Sequence, residues 1–355
     1  MDDAVLSILV ISHNQRTLLG RCLDSVLAQR LSCSFEVVVS DDRSTDGTWE
    51  LIEQYQRDFP GMVFGYHCNS DECNPITRSE RCGWNKLNAY RHARGKYMVN
   101  IDADDYLKSN DIYQLQVDAL ESHPECSLCQ QRVWQVKDGE DLTSGFAWPQ
   151  SERLYDGAIL TAYDTIVGKL RGVNPSYMIR RNTSVDVVEK YGKWYDDTVI
   201  TLHHLQFGNV VFVDRADYVW VQYAGSINSS LTGDDNLACF GLLPLHHAQL
   251  IPSFSVMFME EDNLPLFHLL QKLLNGNLQL HNETKEYIAQ YEGYINQSVL
   301  NKKTQNKLRT FCALLLLWFI RKFHIHNMTV DRTLFGLLIN RSAVRNITRE
   351  KWKVR

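Results

Sequence analysis

No apolar run in the 355-residue chain reaches the length of a membrane span. The run Phe311–Ile320 (FCALLLLWFI) has ten residues, where a spanning helix needs about 20. A polytopic membrane protein is therefore excluded. No GxGxxG follows the first apolar run, and no GxxxxGK[ST] occurs anywhere. Neither a dinucleotide fingerprint nor a P-loop holds phosphate here. Internal repeats and low-complexity tracts are missing as well. The nine cysteines are odd in number and scattered. The CxxC at Cys126–Cys129 has no second pair at zinc-ribbon spacing, so buried thiols are expected rather than a metal site. The first apolar run follows two acids instead of a basic stretch, and reads as a strand rather than a leader. A reducing cytosol is the compartment expected; sequons such as Asn228–Ser230 carry no meaning there.

What is present is a soluble, globular composition, with 44% hydrophobic and 22% charged residues. The net charge of −5 conceals an asymmetry. Residues 301–355 hold 13 Lys and Arg against two acids, a net +11, and the rest of the chain carries −16. A basic tail on an acidic body points to an anionic partner.

The first hundred residues alternate strand and helix. Leu6–Ile11 and Phe35–Ser40 are short continuous apolar runs, the pattern of strands buried on both faces. Leu18, Leu19, Cys22, Leu23, Val26 and Leu27 recur at helical spacing between them. A polar turn, Asp41–Thr48, leads into a helix predicted over 49–59. A strand follows at 62–67, then a helix over 85–94 with Gly95 as its C-cap, then a strand over 97–101. This order predicts an α/β fold with a mostly parallel central sheet and right-handed crossovers. Further on, 176–180, 208–213 and 218–223 read as strands. Residues 190–205 start as a loop and become a helix, and a helical region follows from about 236.

Ligands of such sheets sit at the carboxyl ends of the strands. Three predicted strands end in polar clusters, Ser12-His13-Asn14, Asp41-Asp42 and Asp102-Ala103-Asp104-Asp105, which are expected to line one cleft. Crowded carboxylates repel, and a hard divalent cation relieves them. A second acid pair, Asp196-Asp197, stands near a helix start. His203 and His204 on that helix face different directions, and one surface and one partly buried histidine are expected.

The stretches Leu6–Asn14 (LSILVISHN), Glu36–Thr48 (EVVVSDDRSTDGT) and Ala93–Leu107 (ARGKYMVNIDADDYL), and more weakly 191–229, resemble glycosyltransferase family 2 with its GT-A fold. The family's Pro-x-Tyr-Asn is Ile11-Ser12-His13-Asn14 here, and its Asp-Asp-Gly-Ser is Asp41-Asp42-Arg43-Ser44. The resemblance implies an inverting, metal-dependent transferase moving one sugar from a nucleotide-sugar donor, most often a UDP-sugar. By position, Ser12, His13, Asn14, Asp41 and Asp42 belong to the donor's nucleoside, Lys86 faces the donor, and Asp102 lies near the ribose. Asp104 binds Mn²⁺ or Mg²⁺, supported by Asp105. Asp197 is the expected base, with Asp196 as the alternative. The implied layout is a GT-A domain over 1–230, with a donor half 1–110 and an acceptor half 111–230. A helical region over 231–300 and a basic tail over 301–355 follow.

Gln130-Gln131-Arg132-Val133-Trp134 resembles the Gln-x-x-Arg-Trp motif of processive synthases, but precedes the acid pair instead of following it. One sugar per acceptor is therefore expected, with Trp134 in the core or cleft wall. The tail's charge and its short apolar run predict an amphipathic anchor on an anionic membrane surface, hence a peripheral location on the inner face of the cytoplasmic membrane. A lipid-diphosphate-linked saccharide of O-antigen or capsule synthesis is the acceptor that fits both. Nucleic acid is not expected, since no aromatic-interleaved basic platform appears. Two rival readings are a catalytically silent sugar-nucleotide-binding module docked to a synthase complex and a nucleotidyltransferase. The second lacks its glycine-rich phosphate loop.

Overall fold

The computed structural model describes residues 4–75, 78–166, 176–182 and 186–223, with Ile251, Ser253 and Asn282 as isolated positions. The chain divides into two units, 1–230 and 231–355, and the sheet with its flanking helices belongs to the first. The expected helical region and basic tail lie outside the described residues.

The chain runs β1 (Leu6–Ser12), α1 (Arg16–Leu27), β2 (Phe35–Asp42), α2 (Thr48–Asp58), β3 (Val63–Cys68), α3 (Arg78–His92), β4 (Tyr97–Asp102), β5 (Tyr106–Leu107) and α4 (Ile112–Ser122). It continues through β6 (Cys126–Lys137), β7 (Phe146–Trp148), β8 (Ile159–Leu160), α5 (Ala162–Ile166), β9 (Tyr177–Arg180), α6 (Val187–Tyr191), α7 (Asp197–His204) and β10 (Asn209–Gln222). All these strands belong to one mixed sheet in the order β3-β2-β1-β4-β9-β6-β10-β5, with β7 beside β6 and β8 beside β10. Strands β3, β2, β1 and β4 are parallel. β9 is antiparallel to both β4 and β6 and joins this block to the β6–β10 pair, which is again parallel.

Strand alternation sends Leu6, Ile8 and Val10 of β1, Val37 and Val39 of β2, and Val99 and Ile101 of β4 into the main core, against α1, α2 and α4. The alternate residues of β4, Met98, Asn100 and Asp102, face the side of α3 and α7. Register then fixes the ligand edge: Ser12 pairs with Asp41, and Ile11 with Asp102. The polar ends of three parallel strands therefore lie level with one another.

Three predicted features come out differently, and β5, β6, β7 and β8 answer to no predicted strand. α3 starts at Arg78, seven residues before the predicted start. Its buried face carries Glu80, Asn85 and Lys86, which hide the apolar period. Gly95 is not a C-cap, since the helix ends at His92 and Gly95 has no positive φ. It is required because a Cβ there would stand 2.5 Å from the Ser7 nitrogen and 2.6 Å from the Tyr97 oxygen. The two strands predicted over 208–223 are one strand, β10, with an irregularity between Val213 and Tyr218.

Candidate active site

The turn after β2 is built by its own acids. Asp41 accepts hydrogen bonds from the Ser12 hydroxyl at 2.7 Å, the Ser44 hydroxyl at 2.6 Å and the Ser44 amide at 3.1 Å. It thereby ties the end of β1 to the turn. Asp42 is 4% exposed. Its two oxygens accept the Ser70 amide at 3.0 Å and the Ser70 hydroxyl at 2.6 Å. Nothing in the sequence marks Ser70, because a serine in a short polar connection carries no signal of its own. His13 Nδ1 lies 2.6 Å from the Asp42 carbonyl oxygen. Asn14, at φ 53°, accepts the Thr45 amide at 2.8 Å. His13 and Asn14 are exposed, and they front the loop that Asp41 and Asp42 hold. Arg43 also takes a positive φ of 53°, where glycine costs least. Its guanidinium donates to Asp71 at 2.6 Å, and Arg81 lies 2.9 Å from the same carboxylate.

The acids after β4 divide by environment. Asp102 is half-buried. Burial pushes its carboxyl up to about 6 against the pull of Lys86, and neighbouring Asp197 and Asp104 add to the rise. Its Oδ1 is buried without a hydrogen-bond partner. Asp104 is partly buried and raised by that burial, with Tyr223 and Gln15 hydrogen bonding to it. Asp105 turns inward and is 2% exposed. Both of its oxygens are taken, by the Tyr218 hydroxyl at 2.5 Å and the Val221 amide at 2.9 Å. The structure places Asp105 as a strut between the β4–β5 turn and β10, away from the cleft.

Lys86 is the centre of the site. It is 2% exposed, forms an ion pair with Asp197, and stands 3.7 Å from Asp102 Oδ1. Burial alone would push its ammonium down. Asp102 and Asp197 more than offset that and hold it well above the ordinary lysine value. The second acid pair splits its duties. Asp196 is the N-cap of α7, its side chain accepting the Val199 amide at 2.8 Å. Burial pushes it up to about 6, although that hydrogen bond pulls it down. Asp197 opens the helix, keeps a partly exposed side chain, and lines a small, water-sized crevice with Met98, Asn100, Tyr177, Ile179, Ile200 and Thr201.

The position of Lys86 comes from one stripe of α3. Glu80, Gly83 and Lys86 recur every three residues and share a face. Glu80 lies 2.9 Å from Lys193 Nζ. A Cβ on Gly83 would stand 2.4 Å from the Lys193 carbonyl oxygen. Farther along, Tyr90 meets Tyr195 edge-on at 5.5 Å. α3 is thus seated directly on the segment that carries both acids.

His203 and His204 are both fully buried, correcting the expectation of one surface histidine. α7 is short and packed on β9 and β6, so its sides lack a solvent face. Burial pushes His203 down to about 4 and His204 to about 3, so both are neutral at pH 7. Tyr191 lies 2.8 Å from His203 Nδ1. Arg132 holds Asp214 at 2.6 Å and the Leu154 carbonyl at 2.7 Å, a structural role for the motif it belongs to. Trp134, half-buried, donates to the Leu142 carbonyl at 2.9 Å beneath Lys108. The seven cysteines of the described residues are free thiols.

A hard divalent cation fits the strand-end acids. Asp102 and Asp104 offer carboxylate oxygens, one of them orphaned, at a site where one ammonium faces several acids. Among the described residues no group of three or more His, Cys, Asp or Glu could hold a metal by itself. Mg²⁺ and Mn²⁺ sites built from one or two carboxylates are completed by substrate phosphate and water.

The chain is similar to known proteins in sequence and in fold. Residues 7–177 match Glycosyl transferase family 2. An uncharacterised protein of Mycobacterium tuberculosis (strain ATCC 25618 / H37Rv) is 32% identical over 126 residues, 35% of this chain and 34% of its own length. The poly(ribitol-phosphate) beta-glucosyltransferase of Bacillus spizizenii is 28% identical over 105 residues, 29% of this chain and 15% of its own. The chain thus spans about a third or less of the length of these relatives. The crystal structure of S. aureus TarS 1–349 in complex with UDP-GlcNAc superposes with a TM-score of 0.50 at 17% identity, covering 81% of this chain and 89% of that one. That likeness shows the fold, the mixed α/β sheet of GT-A glycosyltransferases.

Proposed function

We propose, for a chain whose residues 7–177 match Glycosyl transferase family 2, that it moves one sugar, with inversion, from a nucleotide-sugar to a hydroxyl acceptor. The observation that carries this reading is the meeting of Asp102, from the end of β4, and Asp197, from the start of α7, at the buried ammonium of Lys86. Inversion needs a donor held on one side and a base on the other. His13 and Asn14 front the nucleoside on the turn that Ser12, Asp41 and Asp42 brace, and Asp102 lies toward the ribose. Asp104 would hold Mn²⁺ or Mg²⁺, whose charge offsets that gained by the leaving diphosphate. The acceptor oxygen attacks the anomeric carbon, the bond to the diphosphate breaks, and Asp197 takes the hydroxyl proton. Asp197 is the better base because its side chain is partly exposed and free of the helix cap, whereas Asp196 is committed to it.

The UDP-GlcNAc held by the S. aureus protein makes UDP-sugars the donors to test first. A lipid-diphosphate-linked saccharide is the acceptor proposed, and the +11 charge of residues 301–355 supports a chain held at an anionic membrane surface. Among the described residues no helix is long and apolar enough to cross a membrane. The test is a panel of UDP-, GDP- and dTDP-sugars with Mn²⁺ and polyprenyl-diphosphate saccharides, with the product anomer read by NMR. Transfer with inversion is expected. Donor binding without hydrolysis or transfer would favour a silent binding module, and a retained anomer would overturn the single-base chemistry.

A further inference from the structure

Lys86 is charged, buried and remote in sequence from both of its partners. It contacts Asp197 across 111 residues of chain and approaches Asp102 Oδ1, an oxygen that accepts no hydrogen bond. Asp197 begins α7, a helix of eight residues, and Asp102 ends β4. A carboxylate at the first position of a short helix has free side-chain torsions unless something fixes them. The other nearby acid, Asp196, is already fixed by its own helix. Lys86 is itself rigidly placed, because α3 meets residues 192–195 through Glu80–Lys193, the close approach at Gly83, and Tyr90–Tyr195.

We propose that Lys86 is a positioning residue: it orients the Asp197 carboxylate toward the acceptor and registers it against the strand-end acid Asp102. This deepens the transferase reading and rests on it. The donor side then does not need Lys86 as a direct phosphate ligand, because its ammonium is turned to the two carboxylates. Lysine suits the role since a compact ammonium can serve two acids at once, whereas the planar fork of arginine favours one carboxylate held bidentately. Residues acting as a unit are non-additive when removed together.

The experiment is a double-mutant cycle on the full chain with Lys86→Met, Asp197→Asn and both, plus Lys86→Arg. Transfer, donor binding by calorimetry, and urea unfolding are read for each. Lys86→Met should lower kcat at least tenfold while the donor Kd moves less than threefold. In the Asp197→Asn background it should cost nothing further, and Lys86→Arg should restore part of kcat. The unfolding midpoints should be non-additive in the same way. Equal losses from Lys86→Met with and without Asp197, or a donor Kd raised tenfold or more, would overturn the proposal. If the wild type transfers no sugar while the unfolding cycle stays non-additive, the transferase reading fails and the proposed role falls with it. Additive midpoints in an active enzyme would overturn the ion pair itself. Should Lys86→Met not fold, Lys86→Gln is read in its place.

Discussion

The Tyr218 hydroxyl donates to Asp105 at 2.5 Å, and this bond separates the third acid of the strand-end cluster from the other two. Asp105 also accepts the Val221 amide, and both partners belong to the buried strand β10. Replacing it with alanine leaves a buried hydroxyl and a buried amide unpaired, at about 1–3 kcal/mol each. Asp105→Ala should therefore lose about 3 kcal/mol in urea unfolding. Below its unfolding transition the variant should bind donor within threefold of wild type. A large loss of donor affinity in a folded Asp105→Ala protein would return this acid to the cleft.

The difference between Asp105 and Asp104 could not be read from the sequence, where both are acids in one turn. The parallel block of the sheet was legible because β1, β2 and β4 are buried on both faces and leave continuous apolar runs, whereas β5 to β8 were not. Their level ends were legible too, since a parallel sheet dictates them. The front half of α3 was not, because Glu80, Asn85 and Lys86 are buried through specific pairing and so break the apolar period. The same pairing hid the Lys86–Asp197 contact, which joins elements 111 residues apart. Ser70 was invisible because its value lies wholly in its position beneath Asp42. The histidine pair is misleading in sequence, since helical spacing cannot show that both sides of a short helix are covered.

Asp196 gives a pH signature. Its carboxyl is raised to about 6 in the fold from an ordinary value of 3.8. The folded state therefore binds the proton more tightly, and stability falls as pH rises from about 4 to about 6. Asparagine keeps the cap but never ionises. Relative to wild type, Asp196→Asn should gain on the order of 2 kcal/mol between pH 4 and pH 7, the shift being discounted for partial exposure. Chemical unfolding of both proteins across that range checks it. A difference that does not change with pH would mean Asp196 is solvated.

Asp104 carries the metal assignment. Asp104→Asn halves the charge that two strand-end carboxylates offer a cation, without removing an inward-facing bond such as those of Asp105. Turnover should fall at least a hundredfold, and the rise in melting temperature on adding Mn²⁺ with UDP should disappear while the melting temperature without ligand stays within a few degrees. Near-normal turnover with Mn²⁺ would remove Asp104 from the metal.

The charge of residues 301–355 predicts lipid selectivity. Each basic residue near an anionic surface contributes about 1 kcal/mol, and salt screens that attraction over about 10 Å at 0.1 M. The full chain should co-sediment with phosphatidylglycerol vesicles, release with added salt, and leave phosphatidylcholine vesicles nearly bare. Equal binding to both would show that charge is not what attracts it.

Gly83 tests how α3 sets the site. A Cβ at this position would meet the Lys193 oxygen at 2.4 Å and the Lys193 carbonyl carbon at 3.2 Å. Both are backbone atoms, so no side-chain rotation relieves the clash, and α3 must lift from residues 192–194. Overpacking of this kind costs about 1–3 kcal/mol. Lys86 lies three residues on along the same face, so the lift carries its ammonium away from Asp197. Gly83→Ala should therefore lose transfer well below its melting temperature, with donor affinity little changed. Gly20, in α1, is the matched control. There a Cβ would find only the Tyr55 hydroxyl at 3.8 Å, an ordinary contact. Relief from glycine's helix penalty, about 1 kcal/mol, should make Gly20→Ala neutral or stabilising, with full activity. If Gly83→Ala loses stability as expected but transfers sugar at the wild-type rate, the seat of α3 does not govern the base.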